Sequence, residues 1–510
     1  MNTPRRPVVT LALGGLAAVS CLVLAPPGAD ALATACSVTP GSTDFNGDGF
    51  DDAAVGDPEA TVAGVRGAGA VTVLLGGPGG RVGDSGDRVV VTRQSLGETP
   101  EAGDRFGYDV ALAPTGHDGR CAGLLVGAPG VDVGRAVDAG TAYVVSDLPD
   151  AEGTPSLEAS VLTQAEVGGA AEAGDGFGHA VAITATDQED RRRLVVGAPG
   201  EDVGSATDAG SVSVFEMDAE PEGLAELRQG RRGPLGAVRL PGTPQTGDRF
   251  GAALASGPLD LPETSGTEVG LALVVGAPGD TVSGRDGAGS VTVLQEKYEH
   301  AVLLSQDTPG VPGVAEPADG FGASVALNAR TSTQVATLAV GVPGEDAGRV
   351  SGTGLVTLFG NTGERLVPGR AFSQATAGVP GANEAGDHFG AALAFGHHGT
   401  TLLVGVPDED IGRSRDAGAV QRVTFAGSAP LAFPVSLNEN AAGTAGSVGT
   451  DNHFGRALGA LSGSTEHLLT VSSPYALRGS VFVLSDGDRV PARSWVAAVG
   501  AQRFGWSVSS

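Results

Sequence analysis

The residues that most plainly specify chemistry are Asp44, Asn46, Asp48 and Asp52, within "DFNGDGFDDAAVGDP" at residues 44–58. Asp44, Asn46 and Asp48 alternate, which sets hard oxygen donors around one point. Gly49 permits the sharp turn, Phe50 can offer its backbone carbonyl, and Asp52 closes the loop, as in the first half of an EF-hand loop without its helices. Oxygen donors without His or Cys favour Ca²⁺ over Zn²⁺. The alternative is a solvated Asp/Asn turn that holds no ion.

The elements that position this loop are read from a repeat. Phe-Gly pairs occur at Phe106, Phe177, Phe250, Phe321, Phe389, Phe454 and Phe504, at intervals of about 70 residues that shorten toward the end. Interleaved with them is a second motif: "VGDP" ending at Pro58, "VGAP" at Pro129, Pro199 and Pro278, "VGVP" at Pro343 and Pro407, and "VSSP" at Pro474. Self-similarity at a long period marks stacked supersecondary units, none of which buries its faces alone. The unit is β. After each FG comes a short apolar run ("YDVALA", "HAVAIT", "ASVALN"), then a run ending in the GAP-type turn ("GLLVGAP", "RLVVGAP", "TLLVGVP"). A Gly-led alternating strand follows ("GSVSVF", "GSVTVL", "GAVTVLL"), then a more variable fourth ("VVVTRQS", "AVRLPG", "SWVAAV"). Four antiparallel strands per unit make a propeller blade.

The expected fold is therefore all-β, a seven-bladed propeller of four-stranded antiparallel blades. The N-terminal unit opens at a second strand ("AAVGDP") and the chain stops at a first strand ("FGWSVSS"), so the C-terminal strand is expected to join the N-terminal blade and close the ring.

With paired FG and GAP motifs in alternation, the sequence resembles the FG-GAP repeat family, known from the N-terminal propeller of integrin alpha subunits and from bacterial secreted proteins. The resemblance implies that the D-x-N-x-D-G-x-x-D loop binds Ca²⁺ between strands one and two, through Asp44, Asn46, Asp48, Phe50 and Asp52. The other loops at that position ("PTGHDGRCAG", "TATDQEDRRR", "SGPLDLPETSGTE") lack the spacing, so one such site is expected.

In an up-and-down blade the two-to-three and four-to-one loops share one face, opposite the Ca²⁺ loop. Here that face carries acidic loops, with Asp132, Asp138, Glu201, Asp202, Asp208, Asp410 and Asp416 as candidate ligand-face residues. In integrins this face engages ligand. The alternative is that these carboxylates are solvating turn and cap residues.

Residues 1–35 read as an export signal: Arg5 and Arg6, an apolar run, then small residues spaced for a signal peptidase near Thr34 to Cys36. A twin-arginine route and a lipid-anchored cysteine at Cys21 or Cys36 stay open. The propeller is assigned to 36–510. No later stretch approaches the ~18 apolar residues of a membrane span, so a secreted, extracellular protein is expected, with possible attachment at the cell surface and as a monomer. Cys36 precedes the Ca²⁺ loop and Cys121 lies in the one-to-two loop of the next blade, on the same face; a Cys36–Cys121 disulfide is expected.

Lys and Arg total 31 against 59 Asp and Glu, a net charge of −28, which disfavours nucleic acid and anionic membrane surfaces and favours cations or basic ligands. No H-E-x-x-H and no G-x-S-x-G elbow occurs, and the histidines are scattered. The expected function is a calcium-binding adhesion module for a protein or glycan, not an enzyme. The alternatives are a structural surface component and a cryptic hydrolase.

Overall fold

Each FG pair is followed within a few residues by a strand, and each GAP-type motif ends one, because the two motifs meet between blades. The computed structural model describes residues 43–509 apart from 78–81, 83–87, 115–121, 148–156, 185–191, 218–220, 232–238, 260–270, 296–300, 329–337, 362–364, 397–398, 426–431, 441–446, 463–466, 477–478, 486–492 and 497–501. The leader at 1–35, Cys36 and Cys121 lie outside the described residues.

Among the described residues, seven four-stranded antiparallel sheets form the blades of a propeller. Six blades run consecutively from their first strands: blade 2 from Val110–Pro114, blade 3 from Ala180–Ile183, blade 4 from Ala253–Pro258, blade 5 from Ser324–Leu327, blade 6 from Ala392–Phe395 and blade 7 from Leu458–Ser462. Blade 1 combines Ala53–Asp57, Ala70–Leu74 and Arg88–Val91 with Ser507–Val508, which pairs Val508 with Val55 and Ser507 with Gly56. The Asp57 carboxylate then accepts the amides of Gln502 and Arg503 at 2.9 Å each, clasping the closing FG loop. Closure by the C-terminal strand leaves no free sheet edge at that seam.

Second strands such as Ala53–Asp57, Ala122–Ala128 and Thr401–Val406 are buried at every residue, since both their faces meet neighbouring blades. Fourth strands such as Leu157–Leu162 alternate toward solvent. The FG phenylalanines wedge between blades: Phe106, Phe177, Phe250, Phe321, Phe389 and Phe454 are all 0% exposed. Truncating such a ring to Ala costs about 3–5 kcal/mol.

The FG and GAP glycines are needed for one contact. The FG amide donates to the GAP carbonyl of its own blade, from Gly178 to Gly197 and from Gly251 to Gly276 at 3.0 Å. The FG carbonyl meanwhile abuts the GAP glycine of the preceding blade: a Cβ on Gly127 would lie 1.9 Å from the Gly178 oxygen, and one on Gly276 would lie 2.1 Å from that of Gly322. A side chain at these glycines would push two blades apart; blade 7 alone carries Ser472 at the equivalent position.

One expected strand is corrected. In blade 3 the fourth strand is Glu222–Leu227, paired with Ser211–Glu216; of the expected "AVRLPG", residues 239–242 are described, and there Arg239 makes only a bridge.

Candidate functional site

The Asp44–Asp52 loop closes on its own amides. The Asp44 carboxylate accepts from Gly47 at 2.7 Å and Gly49 at 2.8 Å, Asn46 Oδ1 from the Asp48 amide at 3.2 Å, and Asp48 Oδ1 from the Phe50 amide at 2.9 Å. Gly47 and Gly49 take positive φ, 78° and 90°, which turns the chain so that these amides face inward. Asp52 is fully buried and holds the Phe45 amide on one oxygen and the Gly76 amide on the other, each at 2.7 Å. The loop also reaches the next blade, its Asp44 carbonyl accepting from the Ala122 amide at 2.7 Å.

Burial pushes the Asp52 carboxyl up to about 7, and the charges of Asp44 and Asp48 add to that rise. Asp44 is raised as well, by burial first. Among the described residues no three His, Cys, Asp or Glu side chains already surround a metal-sized point. The donor chemistry nevertheless fits a hard cation: three mutually repelling carboxylates and an amide oxygen within nine residues. Asp48 is exposed and bonded only within the loop, to the Phe50 amide and the Asn46 side chain, whereas Asp52 is buried and held by the amides of Phe45 and Gly76.

On the opposite face the two-to-three loops repeat one design. Each forms a small hairpin bridged at Val133–Ala136, Val203–Ala206, Ala347–Val350 or Ile411–Ser414. Asp132, Asp202 and Asp410 accept the amides of Asp138, Asp208 and Asp416 at 2.9, 3.0 and 2.9 Å, and the accepting residues are exposed. Asp138, Asp208 and Asp416 adopt left-handed φ of 53°, 51° and 48°, a conformation Asp tolerates. Glu201 does not reach the surface: it is 3% exposed, ion-paired with Arg228 at 2.6 Å and bonded to Gln164.

Beneath these loops lies a second acidic layer, which includes the "EAGD" segments before Phe106, Phe177 and Phe389 and whose burial the sequence does not show. The aspartate of each G-D-x-F-G or A-D-G-F-G motif is buried and accepts the amide three residues earlier: Asp175 from Glu172, Asp248 from Gln245, Asp319 from Glu316, Asp387 from Glu384. Facing it is a second acid bonded to a glutamine from the preceding blade, as in Gln306–Glu345 and Gln374–Glu409. Burial, reinforced by the neighbouring acid, pushes Glu345 and Glu409 up to about 7 and Asp319 and Asp387 to about 6. At the contact of blades 1 and 2 an arginine replaces the glutamine, and Arg93 pairs with Asp104 at 2.6 Å.

The residues immediately after each FG ring the axis on this same face, around a cavity of about 340 Å³. They are Trp506, Tyr108 and His179 in blades 1 to 3, alanines 252, 323 and 391 in blades 4 to 6, and Arg456 in blade 7. The large side chains form an unbroken crescent. His179 stacks near Tyr108 at 4.8 Å between ring centroids, Tyr108 near Trp506 at 5.6 Å and Trp506 near Tyr475 at 6.4 Å. The Arg456 guanidinium lies 5.2 Å from the Trp506 centroid. The signal was present in the sequence, one residue per repeat, and emerges only when the seven FG motifs are aligned on each other.

The sequence matches the FG-GAP repeat family over residues 38–74, the stretch that carries the Asp44–Asp52 loop and two strands of blade 1. No curated protein matches it. Among solved structures, the complex of KlAtg21 with the coiled coil of AgAtg16 aligns over 87% of this chain and 97% of that one at 8% identity and a TM-score of 0.40, a likeness too loose to bear on fold or function. The chain is thus a seven-bladed β-propeller closed by its C-terminal strand, with an FG-GAP repeat match in blade 1, consistent with the N-terminal propellers of integrin alpha subunits.

Proposed function

We propose that the protein is an extracellular binding module of the adhesion type, not a catalyst: a monomeric, exported propeller steadied by Ca²⁺ in the Asp44–Asp52 loop and taking a protein or glycan ligand on the face of the FG and two-to-three loops. The observation that carries this reading is the broken symmetry of the axial mouth. Where the scaffold needs its repeat, all seven blades keep the FG phenylalanine and six of the seven keep the GAP glycine. At the residue after FG, which touches only the cavity and its rim, four consecutive blades carry Arg, Trp, Tyr and His while three carry Ala. A concave site with a few convergent polar groups and aromatic walls is the usual form of a binding pocket. For the metal, the mutual repulsion of Asp44, Asp48 and Asp52 is the support. For a Cys36–Cys121 disulfide, the support is the Asp44–Ala122 hydrogen bond, which stitches the loop to the segment that follows Cys121. No helix among the described residues is long and apolar enough to cross a membrane.

The test is saturable binding on arrays of glycans and matrix proteins, repeated with Trp506→Ala and Tyr108→Ala. Binding that both variants weaken supports the reading. Absence of saturable binding to any ligand would leave a structural surface component instead.

A further inference from the structure

The chain as a whole is strongly acidic, yet the mouth of its axial cavity is not. Beside Arg456 and His179, the residue immediately before the FG phenylalanine is basic in five of the seven motifs: Arg105, Arg249, His388, His453 and Arg503. Burial lowers His179 to about 4, and the nearby charges of Arg249 and Arg105 add to that; burial raises the Tyr108 hydroxyl, against the charges of Arg456 and Arg105. Arg503 sits 3.8 Å over the Tyr475 ring. Among the described residues, none of the guanidinium groups of Arg105, Arg249, Arg456 and Arg503 is ion-paired. The acids nearby are already engaged. Asp109, which lines the cavity, holds the Val110 and Val181 amides at 3.0 and 2.8 Å, and burial pushes it up to about 7. Asp57 holds the Gln502 and Arg503 amides. Asp408 bridges His388 and His453 at 2.6 Å each.

Polar aromatics concentrate at the same place. The sequence has two Trp and four Tyr, and Trp506, Tyr108 and Tyr475 are all on this crescent. Guanidinium groups beside flat rings, in a concavity open on the alanine side, suit a compact unit with both a ring face and a negative charge better than an extended peptide. We propose that the axial mouth binds the acidic end unit of a glycan, a carboxylated or sulfated sugar whose ring stacks on Trp506 and Tyr108 while Arg456 and Arg105 hold its anion. The inference rests on the FG face being the ligand face. The net negative charge slows the approach of a polyanion, but at physiological salt the Debye length is ~8 Å, so the local crescent decides the contact.

Binding is measured by titration calorimetry with full-length secreted protein against trigalacturonate, its methyl ester, a heparin-derived sulfated hexasaccharide, neutral maltotriose and hexaglutamate. Trigalacturonate or the sulfated hexasaccharide, or both, should bind saturably, and which of them binds separates carboxylate from sulfate recognition. Methyl esterification should weaken trigalacturonate at least tenfold. Arg456→Glu and Arg105→Glu should each weaken the acidic sugars at least tenfold; both residues are exposed, so the unfolding midpoint should not move. Equal binding of hexaglutamate, undiminished binding of the ester or maltotriose, or unchanged affinity in both arginine variants would overturn the proposal. If only neutral glycans or a protein bind this face, the acidic-sugar inference fails and the binding-module reading stands; if nothing binds it, both fail.

Discussion

Two acidic regions on opposite faces of the propeller use the same residue types to different ends. In the Asp44–Asp52 loop, acids four residues apart converge, so that the charges of Asp44 and Asp48 add to the rise that burial gives the Asp52 carboxyl. In the two-to-three loops the acids are six residues apart and separated by a bridged hairpin, and each accepting carboxylate fastens an amide of its own loop, as Asp202 does for Asp208. Spacing, not acidic content, decides whether carboxylates gather charge for a cation or act as staples. The two regions therefore respond differently to substitution, metal and pH.

The largest contrast is expected from Asp52→Ala. Two buried amides, of Phe45 and Gly76, lose their acceptor at once, and each orphaned buried donor costs ~1–3 kcal/mol. A loss of about 3 kcal/mol in blade 1, the blade that also closes the ring, is the expected result of denaturant unfolding in chelator. A loss below ~1 kcal/mol would show that Asp52 does not anchor the loop.

Metal comes next. Saturating Ca²⁺ at a hundredfold excess over Kd should stabilise the protein by ~2.7 kcal/mol, with about one ion counted by native mass spectrometry. Asp48→Ala should abolish most of that gain while barely changing stability in chelator, since Asp48 is exposed. The comparison breaks if Asp48→Ala retains the full gain.

The FG and GAP motifs made blade number, strand order and ring closure legible, because in six of the seven blades they mark one close contact, glycine against glycine between neighbouring blades. The fourth strand of blade 3 was not. "AVRLPG" alternates like a strand and "EGLAEL" carries no β-branched residue, yet the partner strand Ser211–Glu216 pairs with Glu222–Leu227, with one register shift between Val214 and Phe215, so pairing overrides local preference. The loop acids were legible as acids, but not as staples, because an acceptor six residues from its donor is set by the hairpin between them. The axial crescent was hidden more deeply. Tyr108, His179, Arg456 and Trp506 are far apart in the chain, and only the closure of the ring makes them neighbours.

A smaller effect separates the exposed loop acids from the buried layer beneath them. Glu345 and Glu409 sit at about 7 and Asp319 and Asp387 at about 6, all above their unfolded values near 4. Between those limits the folded state binds more protons than the unfolded one, so stability is fully present below about pH 4 and falls as pH rises through 6 to 7. The raised His388 acts in the same direction, and the lowered Asp408 contributes throughout this range. In chelator, the protein should be more stable at pH 5 than at pH 8. Glu345→Gln should recover about 1 kcal/mol at pH 8, allowing for solvent screening of a half-buried group. A flat profile between pH 5 and 8 would mean these acids are ionised at no cost.

The smallest effects are expected from Asp132→Ala, Asp202→Ala and Asp410→Ala. Each removes one exposed acceptor, and water can take over the freed amide of Asp138, Asp208 or Asp416, so the loss should stay below ~1 kcal/mol per site. The three loops belong to different blades and share no partner, so the triple variant should lose close to the sum of the singles. Its Ca²⁺ count by native mass spectrometry should equal that of the unaltered protein, because staples separated by a hairpin do not gather charge. A lower ion count in the triple variant would make the two-to-three loops cation sites as well, and spacing would no longer distinguish the two faces.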